Sequence, residues 1–178
     1  LPKLPHLKLA VHVPAYYDWF DQGAMTAIKS APFVEWSEGG LPDHVMGAWY
    51  HRLSCYAFPS SGEGWSFTPR ESLYMGVPTL ISDIPVHEQL MASGYCAVIR
   101  TRGRETAYFE GNASGQWQRV DVADIEKAIL DVYEHYGAYQ IRALQGSQWI
   151  EGQWPNYGMQ QQLLNFLWQL PAPGRRLH

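Results

Sequence analysis

The chain has 178 residues, 46% of them hydrophobic and 17% charged, and a net charge of −4 at neutral pH. That length allows one domain with a proper core. The acidic balance argues against non-specific nucleic-acid binding and gives no attraction to an anionic membrane, and no apolar run is long enough to span a bilayer.

In chain order, the two prolines of the first six residues make an irregular start. Leu7 to Val13 alternates as a strand that Pro14 ends. An aromatic loop over 15–23 leads to a short helix from Ala24 to Ser30. Phe33-Val34-Glu35-Trp36 is a second strand, and Asp43 is expected to cap a helix reaching about Leu53. Ser54 to Phe58 reads as a buried strand, broken into a loop by Pro59-Ser60-Ser61-Gly62. Thr68-Pro69-Arg70-Glu71 carries a helix-start pattern: Thr68 as N-cap, Pro69 in the first turn, Glu71 three residues past the cap. That helix is expected to stop at Gly76 as the C′ residue. Pro78 to Ser82 is the next strand, Pro85 opens a short helix ending by Gly94, and Tyr95 to Ile99 is the fifth strand. Thr101 to Val120 shows no period and reads as a long loop. Asp121 caps an amphipathic helix with Val122, Ile125, Ile129, Val132 and Tyr136 on one face. Helices over about 138–150 and 157–170 and a polar tail complete the chain. The Trp residues there, Trp149, Trp154 and Trp168, either close the sheet's own face or present it to another domain.

Strands alternating with helices argue an α/β fold with a parallel, doubly wound sheet. The stretch from Phe58 to Ser82 is then strand, loop, helix, strand. Its loop opens on a helix N-terminus, where free N–H groups and the helix dipole favour an anion. The same loop carries two carboxylates eight positions apart, Glu63 and Glu71. Ionised carboxylates only accept hydrogen bonds, so phosphate and hydroxyl groups on one ligand would suit this stretch.

Glu63-Gly64-Trp65-Ser66-Phe67-Thr68-Pro69-Arg70-Glu71, then Gly76-Val77-Pro78, Ser82-Asp83 and Glu88, resembles the E-x7-E signature of retaining glycosyltransferases of the GT-B fold. Within these it is most similar to glycosyltransferase family 4, whose pattern runs P-S-x-x-E-G-F-G-x-x-x-x-E-A-x-x-x-G-x-P-V-I-x-S-D. The match holds register over about thirty residues. From Leu7 to Leu170 the likeness is one of strand and helix order only. The resemblance implies a Rossmann-like, doubly wound parallel sheet, the GT-B C-terminal half, followed by C-terminal helices. It implies one domain over 1–178 that binds a nucleoside diphosphate sugar as donor substrate, without cofactor or metal. The family's domain has one more strand and helix at its front, with an Arg and a Lys that grip the diphosphate. The residues before Leu7 are too few to supply them, so the expectation is most of a donor half. The N-terminal acceptor-binding domain of the same enzyme would be its partner, and the fragment alone would be inactive.

Residue by residue, the resemblance gives Glu71 the ribose hydroxyls; its other role would be to return a hydrogen bond to the cap residue. Glu63 would meet the donor sugar as the catalytic-site carboxylate, and Gly62 and Gly64 beside it suggest close backbone approach. Gly64, Trp65, Ser66, Phe67 and Thr68 would line the nucleotide sugar, with backbone N–H groups of Ser66, Phe67 and Thr68 on the sugar or diphosphate. The family has Gly where Ser66 stands and Phe where Trp65 stands, so a side chain at Ser66 narrows the sugar space. Trp36 and Ser37 end a strand near the family's nucleobase position; core packing is the other reading of Trp36. Arg70 reads as a helix-surface arginine, and Asp83 and Glu88 as residues that fix local geometry.

The seven histidines form no H-x-x-x-H pair, and no Cys-x-x-Cys occurs, so no metal site is expected. No Ser/His/Asp set can be assembled from the sequence. Cys55 and Cys96 read as small buried hydrophobes in a reducing compartment, which with no signal-peptide pattern gives a cytoplasmic expectation; the sequon Asn112-Ala113-Ser114 is then incidental. The alternative in another class is a non-catalytic ligand-binding or interaction module with a GT-B half fold. A GT-B epimerase or phosphorylase is less well matched, because Gly76-Val77-Pro78 and Ser82-Asp83 favour transferases and no pyridoxal-binding lysine is evident.

Overall fold

A computed structural model describes residues 6–13, 21–109 and 111–153. The expected helix over 157–170, Trp154, Trp168 and the polar tail lie outside the described residues. The chain divides into two compact units, Leu1–Leu53 and Ser54–His178. Both contain parallel strands and helices, a mixed α/β fold, and the second adds an antiparallel pair.

The first unit runs β1 (Leu9–Val13), α1 (Gln22–Lys29), β2 (Val34–Glu38) and α2 (Asp43–His51). β1 and β2 pair in parallel, Leu9 against Val34 through Val13 against Glu38. α1 begins two residues earlier than its pattern suggested because Asp21 caps it, accepting from the Ala24 N–H at 3.0 Å. α2 has Pro42 at its N-cap, not Asp43, and the Pro42 carbonyl accepts from the N–H groups of Val45 and Met46.

The second unit opens with β3 (Tyr56–Phe58), α3 (Phe67–Tyr74) and β4 (Thr79–Ser82). A 3-10 turn (Pro85–His87), α4 (Glu88–Ser93) and β5 (Ala97–Ile99) follow. The strand order is β3-β4-β5, all parallel, with β4 central and buried along its whole length. Its side chains alternate between two cores, as the two-residue period of a strand requires. Ile81 joins Leu73, Leu90, Cys96, Ala143 and Ile150, whereas Leu80 joins Ala97, Ile99, Val132 and Tyr139. Both thiols sit in this apolar material, and burial pushes the pKa of Cys55 and of Cys96 up to about 12.

Thr101 to Val120 is a β-hairpin rather than a loop: β6 (Thr101–Phe109) pairs antiparallel with β7 (Asn112–Val120). Its sequence shows no apolar alternation because most of the ribbon is exposed on both faces, so neither face had to be hydrophobic. Arg102 on β6 forms a two-pronged pair with Asp124 at 2.6 and 2.8 Å. That pairing holds the Asp124 carboxyl below the usual carboxylate range. Asp124 belongs to α5 (Val122–Glu134), whose N-cap Asp121 makes no side-chain capping bond and pairs with Arg119 at 3.1 Å. Val122, expected on the apolar face of α5, is 80% exposed, while Ile125, Ile129, Val132 and Tyr136 do pack inward. α6 (Tyr136–Gln153) closes the first core against α3. No described helix is long and apolar enough to cross a membrane.

Gly146 is where α6 meets its neighbours most closely. A Cβ there would fall 2.5 Å from Leu73 Cδ1 and 2.9 Å from Tyr95 Cβ. Leu73 Cδ1 ends a side chain and could turn away, but Tyr95 Cβ could shift only with its backbone. Gly146→Ala is therefore expected to destabilise the second unit by about 1–3 kcal/mol, read as a lower urea midpoint, even though alanine is the better helix former.

Candidate functional site

The Phe58–Glu88 segment is shaped from beneath by two buried polar side chains. α3 starts at Phe67, so Ser66 and not Thr68 is its N-cap, and Thr68 lies inside the first turn. Ser66 has φ +59, the left-handed region that costs a residue with a Cβ about 1–3 kcal/mol. Its hydroxyl makes no capping bond because it is engaged elsewhere. His87, fully buried, reaches the Ser82 carbonyl with Nδ1 at 2.8 Å and Ser66 Oγ with Nε2 at 2.9 Å. A carbonyl can only accept, so Nδ1 carries the proton, Nε2 is the acceptor, and Ser66 Oγ donates to it. Burial pulls the His87 pKa below the usual histidine range.

Arg70 is the second pin, and its expected place on the helix surface is corrected: it is buried. It faces inward because the turn ahead of α3 folds its carbonyls back over the helix. Nη1 donates to the carbonyls of Trp65 and Ser66, the latter at 3.1 Å, and Nη2 donates to Val86 at 3.5 Å. The guanidinium also stacks on the Trp65 indole, 4.2 Å from the ring centre. Burial lowers its pKa. The far end of α3 follows the expectation: Gly76 takes φ +73, its N–H bonds the Leu73 carbonyl, and the Val77 N–H bonds that of Ser72.

Above these pins the outer residues fall into place. By helix geometry Ser66, Phe67 and Thr68 carry the N–H groups that α3 leaves unpaired, since Pro69 has none. Glu71 is exposed on α3 just past its first turn, so it is not the residue three past the cap, and Glu63 is exposed in the loop, where Oε1 accepts from Ser60 Oγ at 2.8 Å. Both glutamates act electrostatically on one residue, Tyr56. Burial raises the Tyr56 phenol pKa, and the charges of Glu71 and Glu63 push it the same way. Thr68 Oγ1, buried beside that phenol, forms no hydrogen bond of ordinary geometry. Trp65 and Phe67 are 45% and 68% exposed, aromatic surface flanking the helix start. Gly64 has open space around it, while Gly62 lies against the hairpin. Asp83 pairs with Arg100 at 3.0 Å, in keeping with a geometric role.

Trp36 and Ser37 belong to the first unit. The Trp36 Nε1–H donates to Glu38 Oε1 at 2.5 Å and Lys29 lies over its ring; Ser37 Oγ meets His12 Nδ1 at 3.0 Å. Among the described residues no group of three or more His, Cys, Asp or Glu side chains is placed to hold a metal ion. The Ser66–His87 pair was missed from sequence. The only signal was a serine where a left-handed backbone would prefer glycine, twenty-one positions from a histidine after Pro85. Burial of both leaves them no access to a substrate, so they position the loop.

No protein-family model matches the chain, and no curated protein matches it in sequence.

The pH dependence of stability follows from His87. Its folded-state pKa is depressed, so its contribution is fully present above the unfolded value of about 6.5 and is lost as pH falls to the lower folded value. Urea titrations at about pH 7 and about pH 5 should show the wild type losing more stability on acidification than His87→Gln. Equal losses would mean that His87 titrates alike in both states.

Proposed function

We propose that this chain is the nucleotide-sugar-binding half of a retaining GT-B glycosyltransferase, similar to family 4, with a Rossmann-like domain as its core. The observation that carries the reading is the backbone at Ser66. The family signature has glycine at this position, and here the residue adopts φ +59, the conformation that favours glycine. The local geometry thus matches the signature at a point where the side chain does not. Two further features support it. The charges of Glu63 and Glu71 both act on the Tyr56 phenol, so the two carboxylates share one local electrostatic environment. The unpaired donors of the helix start lie in sequence between them.

In this reading Glu71 accepts from the ribose hydroxyls, and the Ser66–Thr68 backbone with the positive end of α3 receives the diphosphate. Glu63 accepts from the sugar hydroxyls. Catalysis would be positioning plus stabilisation of the departing diphosphate, with no metal among the groups invoked. The acceptor hydroxyl and its contacts would come from an acceptor-binding domain of the same enzyme, in the cytoplasm. Arg70 takes no direct part, since it faces the carbonyls beneath the loop.

The test is saturation-transfer NMR of the chain with UDP, GDP, ADP, dTDP and their common sugars. One of these is expected to show ribose and base signals that weaken by about tenfold or more in affinity in Glu71→Ala, the loss of hydrogen bonds to a charged acceptor. Binding that ignores Glu71→Ala would overturn the assignment of Glu71. Absence of binding by all of them would favour a non-catalytic interaction module.

A further inference from the structure

A cavity of about 320 Å³ opens beside Glu63, walled by Ser61–Glu63, by Ile84, Pro85 and Val86, and by Arg104, Gln116, Trp117 and Gln118 of the hairpin. The hairpin is fixed against the loop here. The Gln118 N–H donates to the Ser61 carbonyl at 2.9 Å, and a Cβ on Gly62 would sit 3.5 Å from Trp117 Cβ. The volume lies at the low end of about 300–1,000 Å³ for small-molecule sites, too small for a whole nucleotide sugar but fitting for one ring.

The wall chemistry is specific. Arg104 pairs with Gln118 across the ribbon, and Gln116 opposite Thr106 shares that face by the two-residue period. The Arg104 guanidinium has no hydrogen-bond or ion-pair partner among the described residues, although Glu63 lines the same cavity. A residue with a carboxylate and one with a guanidinium thus line one space with no ion pair between them. Such a space suits a ligand with hydroxyls toward Glu63 and an acceptor toward Arg104, whose planar fork matches a carboxylate. The two side chains cancel in charge, so a singly charged ligand group leaves a smaller imbalance than a phosphate would. Gln116 and Gln118 can each give and take hydrogen bonds with ring hydroxyls, and Ile84, Pro85 and Val86 offer an apolar wall.

We infer that this cavity binds a sugar ring bearing a carboxylate, a hexuronic acid, with Arg104 as the residue that selects the acid. The sugar part of the inference rests on the glycosyltransferase reading; the acid part rests on the unpaired Arg104. The hairpin then sets specificity for the sugar beside Glu63.

The experiment compares methyl glucuronide with methyl glucoside on the chain by NMR, following the Trp117 indole N–H, assigned with Trp117→Phe. The uronide is expected to shift that resonance and to bind about tenfold more tightly than the glucoside, and Arg104→Gln should erase the difference while Arg104→Lys keeps part of it. Circular dichroism of Arg104→Gln checks that this exposed ribbon position leaves the fold intact. Equal binding of the two sugars, no shift with either, or a preference that survives Arg104→Gln would overturn the inference. An Arg104-dependent uronide response with no nucleotide binding would uphold the cavity's assignment and sink the transferase reading. Glu71-dependent nucleotide binding with no uronide preference would do the reverse.

Discussion

The candidate site depends on holding one serine in a backbone conformation it would not choose. Ser66 at φ +59 carries about 1–3 kcal/mol of strain. Two buried groups oppose it: the His87 ring, which takes the Ser66 hydroxyl, and the Arg70 guanidinium, which takes the Trp65 and Ser66 carbonyls. A neutral buried hydrogen bond contributes about 0.5–1.5 kcal/mol net and one to a charged group about 1.5–3 kcal/mol, the same order as the strain they oppose. His87 is itself fixed by the Ser82 carbonyl at the end of β4, the fully buried central strand. The loop's shape is thereby referred back to the most rigid part of the second unit.

This support also sorts the charges. The cation at the start of α3 is turned inward and spent on carbonyls, while both carboxylates stay outside. The Arg70 guanidinium at the helix start is engaged with the Trp65 and Ser66 carbonyls and the Trp65 ring. The hairpin brings a different cation, Arg104, to the Glu63 side only. Positive groups at the two ends of the loop thus have different work: one shapes backbone, and the other borders open space.

Much of the fold was legible. The strands of the two parallel sheets stood out as short apolar or alternating runs between turn residues, and α5 stood out by its helical apolar spacing. Gly76 was legible because a helix ending in a left-handed residue selects glycine. The hairpin was not, since a ribbon exposed on both faces leaves no period to read. Thr68 was misread as a cap because Thr-Pro-x-Glu is a good local start signal. Tertiary contacts to Ser66 moved the boundary two residues earlier, by turning a better-placed serine toward a histidine. Arg70 was misread as a surface residue for a similar reason: nothing in its neighbours in sequence announces carbonyls folded back over the helix.

The sequence by itself determined the α/β class, the strand–loop–helix–strand unit, and Glu63 and Glu71 as the residues worth watching, because periodicity and turn chemistry are local properties. Only the tertiary structure decided that Ser66 is left-handed, that His87 and Arg70 hold it there, and that Arg104 shares a cavity with Glu63. Each of those depends on residues that are distant in sequence or separated by a turn whose direction local propensity does not encode. For Ser66 and His87, burial then selects the hydrogen-bond partners, because a polar group taken out of water is stabilised by whatever partner the fold brings alongside it.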